Sequence, residues 1–330
     1  MKKITIADIA KESGMSVYAV SRTLTGKSGV SENSRQHIID TAKGMGYVPK
    51  GQHETHIELI RLVVPTSDLG AGEHYMTVIS GAEEQAKALG VKLEIVTTGN
   101  LEDVSVNSVS GYIIAGALSE GELERLSESS RPIISLYYLP IGTQVDNIFF
   151  SDLEIGAQAC RHFLDNGHNH IAVIRDEGTK FSAPSMKARV DGFHLEANHR
   201  TDVLSQSLCM EDTLLLKERL VAMKKEEILP SAFFCVNDYL AERLISLLSE
   251  LQLRVPHDVS VIGFGNYTIS KSVIPPLTTI QAPMKTMGQV AVQQIVSQLR
   301  LPYSVRAAMR IALTSDMIVR KSTSGRKLSP

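Results

Sequence analysis

The chain has no tryptophan, only three cysteines, and aromatic residues at 5% of its 330 positions. Cys160, Cys209 and Cys235 are odd in number and widely spaced, which excludes a disulfide framework and leaves reduced, inert thiols as the expectation. No apolar run approaches the ~20 residues of a membrane span. Lys2 and Lys3 lead into TIADIAKESG rather than an unbroken apolar stretch, so no secretion signal is read and a cytoplasmic protein is expected. No metal is expected either: His168 and His170 of GHNH, two apart at a strand entrance, point to opposite sides. GFGNY lacks the GxGxxG spacing that cradles a phosphate. No nucleophile, base and orienting group assemble, so neither an enzyme nor a cofactor is expected.

What is present is a chain of 43% hydrophobic and 21% charged residues, enough to bury more than one core. Its net charge of −2 hides an asymmetry. Residues 1–50 hold eight Lys/Arg against four Asp/Glu, leaving 26 against 32 for the other 280 residues. A short cationic segment on an acidic body suits an appended module for a polyanion, and equally a solvated face.

That segment reads as three helices. Thr5 caps the first with Asp8 as reciprocal partner, Ile6, Ile9 and Ala10 form its inner stripe, and Gly14 stops it. Ser16 starts the second, where Val20 and Leu24 face one way and Tyr18, Ser21 and Arg22 the other. Ser31 caps the third, with Ile38, Ala42 and Met45 at core spacing, and Gly46 and Pro49 end it. A helix, a Gly-bearing turn and a second short helix is the geometry that seats the second helix in a DNA major groove; an inert small bundle is the other reading. Arg22 can donate two hydrogen bonds to guanine, Tyr18 offers a hydroxyl on an apolar ring, and Val17 or Ala19 could touch a thymine methyl. Thr5, Ser16, Ser21 and Ser31 suit phosphate contacts that position without specifying.

From about Leu59 onward, short β-rich runs alternate with amphipathic helices. ELIRLVV, KLEIVTT, GYIIAG and PIISLYY form one set, and IAVI, SAFFCV and DVSVIGF a second, with helices near Ser185–Asn198, Glu211–Lys225 and Asn237–Leu251. Two runs of apolar strands with helical crossovers predict an α/β body of two lobes, each a parallel sheet with helices on both faces. The cleft between them, at the strand carboxyl ends, is the expected binding site.

The N-terminal TIADIAKESGMSVYAVSRTLTGKSGVSENSRQHIIDTAKGMGYVP resembles the headpiece of the lactose/galactose repressor family. FLDNGHNHIAVI, ARVDGF, FFCVNDYLA, VPHDVSVIGF, VIPPLTTIQAP and LTSDMIVRKST follow in that family's order and spacing. The resemblance implies an all-α helix-turn-helix headpiece on a periplasmic-binding-protein-like core: a repressor that binds a palindromic operator as a dimer, with a small molecule adjusting its DNA affinity. It also implies that Val17, Tyr18 and Arg22 read bases while Ser16, Ser21 and Ser31 contact phosphates. Helical phase puts Val17 nearer the core face. In the body it implies ligand contacts from Arg189, from Asn237 and Asp238 as a polar pair facing the cleft, and from His74 and Tyr75 as an aromatic wall. Phe150, Phe181 and Phe264 supply rings where tryptophan is missing. An ion-paired arginine on a helix surface is the other reading of Arg189. A guanidinium, a carboxamide and a ring suit a hydroxyl-rich ligand, so a sugar is expected, with a nucleobase or phosphosugar corepressor as the alternative and a sugar-transport protein behind both.

Two departures stand out. Gly265 and Asn266 follow VIGF where the family commonly has an acidic residue for sugar hydroxyls. The linker KGQHETHIEL lacks the alanine and leucine of the family's DNA-bending hinge helix. The expected division is a headpiece over 1–48, a linker over 49–58, a core over 59–324 and a tail over 325–330. Within the core, one lobe takes about 59–165 and 284–312, the other about 167–280 and 314–324. Only SGRKLSP follows MIVRKST, with no leucine heptad, so a homodimer is expected rather than a tetramer.

Overall fold

A computed structural model describes residues 4–24, 29–45, 47, 59–65, 72–98, 109–116, 131–137, 145–176, 183–301 and 307–325. The linker, and with it the question of a hinge helix, lies outside the described residues, as do Phe181 and the tail beyond Gly325. The chain divides into two compact units, Met1–Ile57 with Val296–Ala307, and Glu58–Ile295 with Ala308–Pro330.

In the first unit, helices α1 (Ile6–Ser13), α2 (Val17–Leu24) and α3 (Glu32–Gly44) close around Ile9, Ala10, Val20, Ile38 and Ala42. The start of α1 is fixed twice over: the Thr5 hydroxyl accepts from the Asp8 N–H at 3.3 Å, and the Asp8 carboxylate accepts from the Thr5 N–H at 2.8 Å. Gly14 ends it at φ 66°, a left-handed conformation that costs glycine nothing. Ser16 then accepts from the Ala19 N–H at 3.1 Å and opens α2 two residues after that turn. His37 Nε2 lies 3.2 Å from the Ser13 carbonyl, tying α3 to the end of α1.

The second unit holds two six-stranded sheets. In the first, β1 (Leu59–Pro65), β2 (Lys92–Thr98), β3 (Gly111–Ile114), β4 (Ile133–Leu136), β5 (Asp146–Phe150) and β11 (Arg310–Leu313) run in the order β11-β5-β4-β3-β1-β2, every pairing parallel. In the second, β6 (His170–Arg175), β7 (Leu204–Cys209), β8 (Ala232–Cys235), β9 (Ser260–Gly265), β10 (Thr278–Gln281) and β12 (Met317–Ile318) run β12-β10-β9-β8-β6-β7, with only the short β12 antiparallel. The inner strands are apolar without alternation because helices cover both faces. GYII of β3 and AFFC of β8 are buried at every residue.

Helix α4 (Gly72–Leu89) crosses α10 (Met284–Arg300) where Gly81 and Gly288 bring the backbones together; a methyl group at either would overlap a carbonyl of the opposite helix. The same device joins α5 (Asp152–Asp165) to α6 (Ala183–Ala197). A methyl at Gly156 would overlap the Arg189 carbonyl, and one at Gly192 the Leu153 carbonyl. Phe163 and Phe193 meet beside that crossing with ring centroids 6.4 Å apart. Residues 152–165, expected in the first lobe, therefore belong to the packing of the second, and the lobe division we propose falls at Ser151 instead of after Asp165. The reason is the glycine crossing, in which Gly156 of α5 and Gly192 of α6 let the two helices meet backbone to backbone.

The chain passes between the sheets three times, after β5, between β10 and α10, and between β11 and β12. Both sheets turn strand carboxyl ends toward the same region, where Phe150 from the first and Phe264 from the second stand 6.0 Å apart by ring centroid.

Candidate functional sites: the headpiece face and the inter-lobe cleft

On the outer side of α2, Tyr18 is 68% exposed and Arg22 lies one turn on. The Arg22 guanidinium sits 5.3 Å from the Tyr18 ring centroid and donates to the Tyr18 hydroxyl at 3.0 Å. This contact holds two long side chains in one arrangement before any partner arrives. Gly29, at φ 102°, borders the Arg22 guanidinium. Thr5, Ser16 and Ser31 are exposed, and each caps its helix through its hydroxyl.

Two expectations on α2 are reversed. Val17 is 54% exposed rather than turned to the core, because the helix begins there and its buried residues, Val20 and Thr23, come later. Ala19 packs against the headpiece core, so its methyl is not part of the outer row.

In the body, Arg189 is buried, and its alternative reading as a surface ion pair does not hold. Its Nε donates to Asp152 Oδ1 at 2.7 Å, one nitrogen donates to the Val236 carbonyl at 2.7 Å, and the guanidinium lies 3.9 Å over the Phe264 ring. Asp152 starts α5 and Val236 follows β8, so one side chain ties a helix, a strand end and a cleft-facing ring together.

Asn237 caps α8 (Asp238–Glu250), the helix after α7 (Thr213–Lys225), its carboxamide oxygen accepting from the Leu240 N–H at 2.8 Å. Asp238 does not pair with it toward the cleft. It is 0% exposed, taking the Thr279 hydroxyl at 2.6 Å and the Tyr267 N–H at 2.9 Å. Its place on the first turn of α8 aims it beneath β9, where Gly263 leaves the room it occupies. Burial raises its pKa to about 6, against the opposing pull of those two hydrogen bonds and of Arg320.

His74 and Tyr75 stand at the start of α4 with ring centroids 5.4 Å apart. His74 also meets Tyr137 at 4.9 Å and Phe150 at 6.5 Å, and its Nδ1 lies 3.0 Å from the Tyr267 hydroxyl. Burial, and then the charge of Arg189, lower its pKa to about 4, so the imidazole is neutral at pH 7. His74, Tyr75, Phe150, Phe264 and Arg189 are thus brought together. Sequence reasoning missed Tyr137, Tyr239, Tyr267 and Glu73, and the one available signal was the Tyr that closes GFGNY.

The two shifted groups oppose each other in acid. Asp238, with a raised folded pKa, contributes stability that is full below about pH 4 and lost as the pH rises through about 6. His74, with a lowered one, contributes stability that is full above about pH 6.5 and lost as the pH falls toward 4. Either change in pKa corresponds to ~3 kcal/mol. His74→Gln is expected to leave urea stability falling more steeply between pH 4 and 6 than in the parent. An unchanged slope would show that His74 does not titrate as described.

Other groups play structural parts. His168 contacts the Ser231 hydroxyl at 2.9 Å and the Ser324 carbonyl at 3.0 Å, pinning the chain end to the second sheet. Cys160 and Cys235 are buried and Cys209 is half-buried, all unbridged, and burial pushes the Cys160 thiol up to about 12. Among the described residues no group of three or more His, Cys, Asp or Glu could hold a metal, and no helix is long and apolar enough to cross a membrane.

A helix-turn-helix headpiece joined to a two-sheet body with a polar and aromatic cleft defines the class of ligand-sensing transcription regulators. Residues 5–50 match the bacterial regulatory proteins of the lacI family, and residues 160–323 a periplasmic binding protein-like domain. The chain combines a lacI-family helix-turn-helix domain with a periplasmic-binding-protein-like domain, and its relatives are lacI-family transcription regulators. It is 29% identical over 339 residues to the HTH-type transcriptional repressor PurR of Mannheimia succiniciproducens, covering 96% of this chain and 98% of the relative. It is 28% identical to the HTH-type transcriptional regulator DegA of Bacillus subtilis, covering 98% of each. Among solved structures, the lac repressor dimer bound to operator and the anti-inducer ONPF shares the fold at TM-score 0.63 and 24% identity, covering 98% of this chain and all of that one. The complex of the regulator CelR with cellobiose does so at TM-score 0.65 and 21% identity, covering 97% and 100%.

Proposed function

We propose that the protein is a dimeric repressor whose α2 reads base edges of a near-palindromic operator, and whose inter-lobe cleft takes a small-molecule effector that changes its DNA affinity. It acts on genomic DNA, hence in the cytoplasm. The observation that carries this is the outward Tyr18–Arg22 pair on the second helix of the headpiece. Arg22 supplies a bidentate donor for guanine and Tyr18 a hydroxyl on an apolar ring, while Ser16, Ser21, Thr5 and Ser31 supply phosphate partners. Val17, exposed at the leading end of the helix, suits a thymine methyl. A twofold axis would set two headpieces on two half-sites.

Arg22→Ala is expected to lose discrimination at one base pair per half-site, worth ~1–3 kcal/mol, with binding to random DNA nearly unchanged. Retardation of the selected operator against single-base variants measures it. Equal weakening on operator and random DNA would assign Arg22 to the phosphates instead.

For the effector, a sugar is the first reading. Arg189, Asn237 and the rings of His74, Tyr75 and Phe264 suit hydroxyls and sugar faces, and a fold neighbour holds cellobiose. The second reading is a nucleobase or phosphosugar corepressor. The ring-lined cleft and the absence of an acid at Gly265 and Asn266 favour that flat or anionic class. A thermal-shift screen over sugars and nucleobases separates them, since a ligand at a hundredfold excess over its dissociation constant adds about 2.7 kcal/mol.

A further inference from the structure

Gly265 and Asn266, which stand where a sugar-binding acid is usual, are the frame of a turn that aims Tyr267 across the cleft. Gly265 has φ 129°, and a methyl group there would overlap the Tyr267 ring. Asn266 has φ 55°, a conformation asparagine tolerates better than most residues, and its carboxamide oxygen accepts from Arg320 at 2.5 Å. Asp238 holds the next N–H, that of Tyr267, from below. Three side chains, Asn266, Arg320 and Asp238, and one glycine thus fix the orientation of one tyrosine.

That tyrosine spans the lobes. Its ring stacks on Tyr239 of the second lobe at 5.1 Å and 30°, and its hydroxyl meets His74 Nδ1 of the first lobe at 3.0 Å. Burial of the hydroxyl raises its pKa, so the phenol stays protonated and able to donate. The adjoining residue makes a second tie: the Thr268 N–H donates to Glu73 at 2.9 Å and its hydroxyl at 2.8 Å, so a carboxylate of the first lobe caps the short helix α9 (Thr268–Ser272) of the second. Consecutive residues of α4, Glu73 and His74, therefore grip consecutive residues of the other lobe. His74, which packs with Tyr137 and Phe150 in the aromatic wall that would stack on a ligand, is engaged by the protein's own phenol.

We propose that Tyr267 is a built-in occupant of the effector cleft: it holds the lobes together in the absence of effector, and an effector enters by displacing its hydroxyl from His74. The inference rests on the cleft being the effector site. It narrows the ligands to those offering a ring, or a ring-like face, with a hydrogen-bonding group at the edge to replace what Tyr267 gives up.

The test is amide hydrogen exchange on the full-length protein, without DNA or effector, with p-cresol as a stand-in for the tyrosine side chain. In Tyr267→Ala, exchange of the Thr268 amide is expected to rise at least tenfold, while that of Leu240, bonded within the second lobe, stays as in the parent. Millimolar p-cresol is expected to slow the variant's Thr268 exchange and to leave the parent unaffected, since only the variant has the space free. Tyr267→Phe, which removes only the hydroxyl, is expected to give a threefold rise or more, and it decides the matter if the alanine variant does not fold. Parent-like Thr268 exchange in Tyr267→Phe, or p-cresol acting equally on parent and Tyr267→Ala, would overturn the proposal. Failure to bind an operator would overturn the regulatory reading and leave this exchange result standing.

Discussion

Replacing Arg189 by Met is expected to destabilise the protein by about 3–5 kcal/mol. The side chain it removes is the counter-charge of Asp152, and both are 8% exposed at the side chain. Attraction in such a place does little more than offset the desolvation of two ions, so the pair itself adds little. Removing one member is different, because the other is left charged without its partner. The Val236 carbonyl loses its donor as well, and the Phe264 ring loses the cation packed on it. The double variant Arg189→Met with Asp152→Leu is expected to recover much of the loss, since no charge is then buried alone. Urea unfolding of the parent, both single variants and the double variant measures the coupling. Additive single effects would show that the two groups do not act as a pair. The cleft reading adds a second result: where Arg189→Met still folds, operator binding is expected to persist while the effector response is lost.

Gly156→Ala is expected to cost at least the ~1–3 kcal/mol typical of overpacking, although alanine is the better helix former by ~1 kcal/mol. Propensity acts on one residue, whereas the added methyl group would overlap backbone of helix α6, namely the Arg189 carbonyl and the Phe193 N–H. Backbone cannot rotate away as a side-chain tip can, so α5 and α6 must separate along the crossing. Phe163 and Phe193 lose contact as they do. The same substitution at Gly44, where a methyl group would meet nothing within 4 Å, serves as the control and is expected to be neutral or mildly stabilising. Thermal unfolding of the two variants decides it. Equal midpoints would mean that the helices approach less closely than described.

These two residues also show what was legible in the sequence. The resemblance marks the arginine of ARVDGF as a ligand contact, and a one-dimensional pattern cannot reveal that its counter-ion starts a helix 37 positions earlier. Gly192 of the same segment carried no signal of a helix crossing, because a packing glycine and a flexible one look alike until the partner helix is in place. The three headpiece helices were legible to their caps. Thr5, Ser16 and Ser31 act within three or four residues, and local chemistry is what sequence displays best. Val17 failed for a related reason: helical phase describes direction around an axis and says nothing about where along it the core ends. Strands β1–β4, β6, β8 and β9 are legible as apolar runs, whereas β5, β10, β11, β12 and β7, the last with half its residues polar and only Leu208 buried, are not. The role of Tyr267 is not legible in the sequence because it depends on a bond to a residue 193 positions away on the other lobe.

The three passages of the chain between the two sheets bear on how the gene can be divided. The first sheet needs residues 59–150 and 310–313, and the second needs 170–281 and 317–318. No single cut yields a fragment carrying one complete sheet and none of the other, so neither half of the sensor can be expressed alone as a contiguous piece. A minimal single-lobe version would have to be spliced from separated stretches, with the returning strand rejoined by a new loop.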